Sequence, residues 1–413
     1  MDAYIITIGD ELLNGNTIDT NSVWLGKELE KIHIRIKEKI TVSDNKDTIV
    51  QSIQRVINRK FPYIFVTGGL GPTHDDITKS AIKEILKTNE YFDEDYYKEL
   101  QIKFKKRNIK ISRSNRSQAM MLSKCNPIEN PIGTALGMEF FSNKSRVFVM
   151  PGVPIEMRKM IKEVIFPRYF QNNVMSETSI TILTAGTPES LIADKIQDFV
   201  EEYREEIKIA FLPQYSGVNI RLNTINNNFD KMIELKEKIN LRLGKIIYGY
   251  NEDKIEDVVG DLLLGKKMTI SIAESCTGGL LSKKITNTPG SSKYYNGGII
   301  AYQNLIKEKK LNVSKEILDS FGAVSQEVVT EMALGIKKEF LSNIGFAISG
   351  ISGPEGGNKN KEVGLVHMAL ACGETIIHKR FNFIPDRNLH REISANTALN
   401  IIRLFLRGNK NEF

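Results

Sequence analysis

The sequence has few cysteines and histidines, and those it has stand apart. Its three cysteines, Cys125, Cys276 and Cys372, are odd in number and lack C-x-x-C spacing, which argues against a disulfide framework and a zinc ribbon. The five histidines form no H-x-x-x-H pair, so no dedicated His/Cys metal site is expected. No apolar run approaches the roughly 18 residues of a transmembrane helix. The opening "MDAYIITIGDELL" lacks a basic segment ahead of its apolar run, so it reads as a strand rather than a signal peptide. A cytoplasmic protein without a membrane partner is the expectation. Concentrated charge is lacking too: the net charge is +7, but lysines alternate with glutamates, as in "ELKEKINLRL". That pattern speaks against nucleic acid and for a solvated surface, part of it facing phosphorylated metabolites.

What is present is a chain of 413 residues with 41% hydrophobic and 26% charged residues, long enough for more than one globular domain. Strand-like "YIITI", helical "VWLGKELEKIHI", alternating "RIKEKITV", an amphipathic helix with Ile49, Ile53, Val56 and Ile57 on one face, and "PYIFVTGG" follow in order. Strand and helix alternating in this way predict a parallel sheet wrapped by helices. "SRVFVMPGVPIEMRKMIKEVIFP" repeats the pattern. Residues 1–172 read as one three-layer α/β domain, 174–250 as a small βαββαβ module, and 253–413 as a second α/β domain.

Polar loops follow the strands of the first domain, at the carboxyl edge where α/β sheets bind ligands. Gly68, Gly69 and Gly71 let a backbone approach a phosphate, and a helix start after Thr73 points amides at it. Asp10, Glu11, Asp75 and Asp76 are candidate ligands of a divalent ion bridging phosphates. Gly9, Asn21, Gly152 and Glu156, from loops of the same domain, complete its candidate contacts. A tight turn with helix-capping acids is the simpler alternative.

In the third domain "MTISIAESCTGGLL" is a strand running into a helix, with Ser275, Cys276 and Thr277 on the corner. A helix start lowers the pKa of a nucleophile and offers amides to an oxyanion or a phosphate. Three readings stay open on these residues: a nucleophile, a phosphate cradle and a bare corner. "AYQNLIK" places Tyr302 and Lys307 after the next strand, and a Ser–Lys pair can replace Ser–His. "GISGPEGG" adds Ser349 and Gly350 at a further strand end, and Arg387 and Arg391 lie one turn apart on the last helix, spaced for a phosphate.

Together these motifs resemble the CinA family, the competence/damage-inducible proteins. "GDELLNGNTIDTNS", "TGGLGPTHDDIT" and "PGVPIEM" resemble its molybdopterin-binding-like domain, and the middle module is similar to its KH-like domain. "AESCTGG", "AYQNLIK", "GAVSQEVVTEMA" and "GISGPEGG" resemble its nicotinamide-nucleotide amidohydrolase domain. The resemblance implies two activities. The C-terminal domain would deamidate nicotinamide mononucleotide without a cofactor, with Ser275 as nucleophile, Lys307 as base, Tyr302 assisting and Ser349 in the site. Glu274, Thr277, Gly278, Gly279 and Gly350 would line the substrate, and Arg387 and Arg391 would steady its phosphate. The N-terminal domain would hydrolyse ADP-ribose to AMP and ribose 5-phosphate with a divalent cation (magnesium, cobalt or manganese), potassium being left open as a second ion. A homodimer is implied. The chain departs from the family pattern at Leu136, at Lys361-Glu362 and at Pro385. The competing classes are a non-catalytic competence or DNA-damage adaptor, and a pterin-binding or adenylyl-transfer module at the N-terminus.

Overall fold

The computed structural model describes residues 1–71, 77–111, 113–171, 179–215, 217–225 and 228–408. The chain divides into two compact units, Met1–Thr178 and Ser179–Phe413.

The first unit is built on β1 (Asp2–Ile8), α1 (Thr20–Lys31), β2 (Arg35–Val42), α2 (Lys46–Asn58), β3 (Tyr63–Thr67), α3 (Thr78–Leu86), β4 (Asn126–Ile128), β5 (Gly137–Ser142), β6 (Ser145–Met150) and α4 (Pro154–Lys159). Its sheet has the order β2-β1-β3-β6-β5-β4. Strands β2, β1, β3 and β6 are mutually parallel, whereas β5 runs against β6 and β4 against β5. The fully parallel sheet expected from the sequence is thus mixed at one side. The cause is local: Asn143 and Lys144 adopt φ of 45° and 70°, and a tight turn with both central residues at positive φ closes a β-hairpin. Helices cover both faces over separate apolar cores. Residues Ile49, Ile53, Val56 and Ile57 of α2 are all buried, as their helical spacing predicts. The polar stretch after β1 is more ordered than a loop: it holds a helical turn at Asp10–Leu13, and α1 starts at Thr20, capped by Asp19 on the Ser22 amide at 2.9 Å.

The second unit opens with β7 (Ser179–Thr184), α5 (Glu189–Glu202), β8 (Ile207–Gln214), β9 (Gly217–Thr224), α6 (Phe229–Leu243) and β10 (Ile247–Tyr250). These strands pair antiparallel in the order β8-β9-β7-β10 and pack their helices over one core. There follow α7 (Ile255–Lys266), β11 (Ile270–Glu274), α8 (Leu280–Thr286), β12 (Tyr295–Ile300), α9 (Asn304–Leu311), α10 (Gln326–Glu339), β13 (Ile344–Gly350), β14 (Leu365–Cys372), β15 (Thr375–Asn382) and α11 (Arg387–Leu406). The sheet order is β12-β11-β13-β14-β15, parallel across β12, β11 and β13 and antiparallel beyond. Helices α7, α8 and α11 pack on one face and α9 and α10 on the other. Both α/β domains therefore gather the carboxyl ends of parallel strands, where polar loops converge. The end of α11 reaches the small module: fully buried Arg403 donates to the carbonyls of Ile247 at 3.0 Å and Lys245 at 2.8 Å. Among the described residues no helix is long and apolar enough to cross a membrane.

Candidate active site

Ser275 follows directly on β11, a strand buried along its whole length. Its amide donates to the Ile348 carbonyl of β13 at 2.9 Å, so the sheet fixes the backbone at this residue. The chain then turns through Gly278 and Gly279, with φ of 57° and 92°, conformations that suit glycine, and enters α8. Glu274 orders that turn. Its carboxylate accepts from the amides of Gly279 (2.9 Å), Leu281 (3.1 Å) and Ser282 (2.8 Å) and from the Ser282 hydroxyl (2.6 Å). It is 1% exposed, and its carboxylate is committed to capping the start of the helix. Four charge-assisted bonds at a positive helix end imply a large loss on truncation. Glu274→Ala should lower unfolding stability by roughly 3 kcal/mol, read from the shift of the urea midpoint.

The other carboxyl end brought here is that of β12, followed by Tyr302 and α9. Lys307 is 1% exposed, and its Nζ donates to Ser275 Oγ at 3.3 Å, to the Ala301 carbonyl at 2.7 Å and to the Tyr302 carbonyl at 3.3 Å. All three partners are neutral oxygens, and burial pushes the ammonium down to about 8. A hydroxyl beside a lysine that loses its proton near neutrality is a nucleophile–base arrangement. Cys276, next along the turn, is buried and its thiol is pushed up to about 12, so it stays protonated.

The remaining sequence candidates are placed as follows. Ser349 neighbours Ser275 across the β11–β13 pairing, but its hydroxyl donates to the Ala323 carbonyl at 2.7 Å and is fully buried. Thr277 is fully buried; its carbonyl accepts from Arg391 Nη2 at 2.9 Å and its hydroxyl has no partner. Arg387 donates to the Gly353 carbonyl at 3.0 Å and to the Tyr302 hydroxyl at 2.9 Å. Both arginines thus tie loops together, and Tyr302 is exposed. At Gly350 an added Cβ would lie 2.8 Å from the Leu365 carbonyl, so close strand packing accounts for this glycine. Two histidine arrangements escaped the sequence reading. His367 faces Ser349 across β13–β14 and shares a 2.9 Å contact with His378, and His390 bonds Ser352. Strand register reveals the first and the docking of α11 the second, both linking residues far apart in the chain.

In the first unit, the ends of β1, β3 and β6 bring Gly9, Asp10 and Glu11 near the Gly68–Gly69–Gly71 loop and the turn carrying Gly152. Asn21, on the first turn of α1, donates to Thr67 Oγ1 at 3.2 Å and to the Gly152 carbonyl at 2.7 Å, leaving a buried side-chain oxygen without a partner. An added Cβ at Gly68 would lie 2.2 Å from the Ile8 carbonyl, and one at Gly69 2.3 Å from Thr78 Oγ1. These glycines are required by packing between neighbouring loops. Glu156 accepts from Asn130 Nδ2 at 2.7 Å, which gives the "NPIGTALG" turn a structural partner. The Asp10 amide donates to the Asp44 carboxylate at 2.9 Å, and the Asp44 amide to Asp10 Oδ1 at 3.4 Å. Asp44 follows β2, so the carboxyl-edge rule applied to one more strand finds it. Thr73, Asp75 and Asp76 lie outside the described residues. Among the described residues no three His, Cys, Asp or Glu side chains are grouped to hold a metal ion, so the divalent cation implied by resemblance has no complete donor set there.

Fold and site define a multidomain α/β protein with a buried Ser–Lys pair at a strand end. Residues 252–406 match the family described as CinA C-terminal domain, residues 4–171 the probable molybdopterin binding domain, and residues 179–249 the damage-inducible protein CinA KH domain. The chain belongs to the CinA family. It is 36% identical to a CinA-like protein of Flavobacterium psychrophilum, over 97% of this chain and 98% of the relative. It is 35% identical to a putative competence-damage inducible protein of Halothermothrix orenii, over 98% and 99%. Among solved structures, a competence/damage inducible protein from Agrobacterium tumefaciens is 32% identical, with a TM-score of 0.36, covering 38% of this chain and 97% of that one.

Proposed function

We propose that the C-terminal domain hydrolyses the carboxamide of nicotinamide mononucleotide to nicotinate mononucleotide and ammonia. The observation that carries this reading is the 3.3 Å contact between Ser275 Oγ and buried Lys307, whose ammonium burial pushes down to about 8. Neutral Lys307 takes the Ser275 proton as Oγ attacks the carboxamide carbon. The resulting ammonium then donates to the departing nitrogen, and ammonia leaves an ester on Ser275. Water attacks that ester with Lys307 again as base, and the carboxylate product departs as Ser275 regains its proton. The cationic Arg387 beside exposed Tyr302 suits the phosphate end of the substrate.

For the N-terminal domain we propose hydrolysis of ADP-ribose to AMP and ribose 5-phosphate, dependent on a divalent cation. The finer alternative there is a pterin ligand, favoured by the matched description of a probable molybdopterin binding domain. One experiment addresses both domains: product analysis with each nucleotide, with and without a chelator. Ammonia release is expected to survive chelation, and AMP formation is expected to stop and return with added magnesium, cobalt or manganese. AMP formation insensitive to chelation would remove the metal from the scheme. Retention of a pterin but not ADP-ribose would remove the second activity.

A further inference from the structure

We propose that His367 and His378 form an acid-sensitive clasp between β14 and β15, which survives one added proton and opens on the second. The proposal does not depend on the hydrolase reading. β15 is the edge of its sheet, so along its ladder it is held by β14 alone. Within that pairing His367 stands opposite Arg380, and His378 opposite Ala369. The two rings meet on the diagonal, with His367 Nδ1 2.9 Å from His378 Nε2 and the centroids 5.1 Å apart. So short a contact between ring nitrogens needs one hydrogen between them: one nitrogen donates and the other is bare.

A buried imidazole bonded to a carbonyl or a hydroxyl keeps its bond when it gains a proton, because those oxygens also accept from an imidazolium. His390, set against Gly364 and Ser352, is of that kind. An imidazole bonded to an imidazole is not. The first proton can land on a nitrogen facing away from the bond, and half-buried His378 solvates that charge better than His367, which is 9% exposed. Its Nε2–H then donates to bare His367 Nδ1, and the bond persists. The second proton has His367 Nδ1 left to occupy, which sets N–H against N–H. Neighbouring charges resist it too: Arg380 and Lys379 from β15 and Lys361 from the loop before β14, against Glu327 at the start of α10. β13 presents the hydroxyl of Ser349 opposite His367. Burial first, and then the charge of His378 and the other cations, hold His367 down to about 4. In the unfolded chain it titrates near 6.5. Between those values the unfolded chain carries the extra proton, so stability present above pH 6.5 is lost as the pH falls.

The test uses the full chain with nitrogen-15 histidine and reads the rings without any activity. At pH 8 a nitrogen–nitrogen coupling across the His367–His378 bond is expected. As the pH falls, His378 should take the first proton while the coupling persists and His367 Nδ1 stays bare. Below about pH 4 the coupling should vanish, and amide-exchange protection of β15 should drop while that of β13 holds. No coupling at pH 8, or both rings gaining their protons together, would overturn the proposal. Two variants separate the clasp from burial alone. His378→Asn leaves His367 buried but supplies an oxygen that accepts from protonated Nδ1, so His367 should titrate about one pH unit higher. An unchanged His367 midpoint in that variant means that burial alone sets it, and the clasp is then wrong. His367→Asn removes the refused proton. Below pH 6.5 the parent's unfolding constant in urea should rise roughly tenfold more per pH unit than this variant's. Parallel pH dependences in parent and variant would equally overturn the clasp.

Discussion

Ser275→Ala is expected to reduce ammonia release from nicotinamide mononucleotide by on the order of 10⁴-fold, the scale of losing a covalent nucleophile. The fold should be indifferent to the change. The bond from the Ser275 amide to Ile348 belongs to the backbone, and Lys307 keeps its bonds to Ala301 and Tyr302 when the hydroxyl is removed. Circular dichroism and the thermal midpoint should therefore match the parent. Loss of activity with loss of fold would not count as support, which is why both are measured on one preparation. Ammonia release within tenfold of the parent would eliminate the serine mechanism and leave this turn a strand-to-helix corner.

The second large effect belongs to Lys307, and its sign follows from its environment. To accept the Ser275 proton the amine must be neutral, and burial brings its pKa from the ordinary lysine value down to about 8. At lower pH the ammonium predominates, so kcat/KM should fall about tenfold per pH unit below that point and level off above it. A bell leaning to the acid side would contradict a lysine base. Lys307→Arg sharpens the point, because arginine preserves the positive charge and the donor capacity but does not deprotonate in this range. It should lose on the order of 10³-fold or more in kcat/KM. An arginine variant retaining near-parental activity would reassign Lys307 to charge stabilisation.

The parts legible in the sequence were those written in local pattern. The spacing of Ile49, Ile53, Val56 and Ile57 announces a helix with one buried face, and "MTISIA" before Ser275 announces a buried strand. The Ser275–Lys307 pair could be read because both residues follow neighbouring parallel strands, so strand order alone brings them together. Glu274 could not be assigned in this way. An acid ahead of a glycine turn reads equally as a pocket wall or as a helix cap, and only the positions of the amides five to eight residues on decide it. The β5–β6 hairpin was missed because its turn, Asn143-Lys144, lacks the glycine that usually marks such corners. His367, His378 and His390 were invisible as partners for a different reason: their contacts depend on antiparallel register and on where α11 docks, which no short motif encodes.

The other end of α11 decides how the protein can be divided. Arg403 is a cation without exposure whose acceptors are two backbone carbonyls of the small module and Asn400, and burial pushes its guanidinium down to about 10. A fragment beginning at residue 253 would retain the cation and forfeit both carbonyls, with no carboxylate supplied in their place. Such a charge must either hydrate, prying the helix end from its sheet, or stay dry at heavy cost. The C-terminal domain is therefore a poor cassette when cut at its own first helix. The small module serves as its floor, and the seam at which the chain can be parted lies before residue 179.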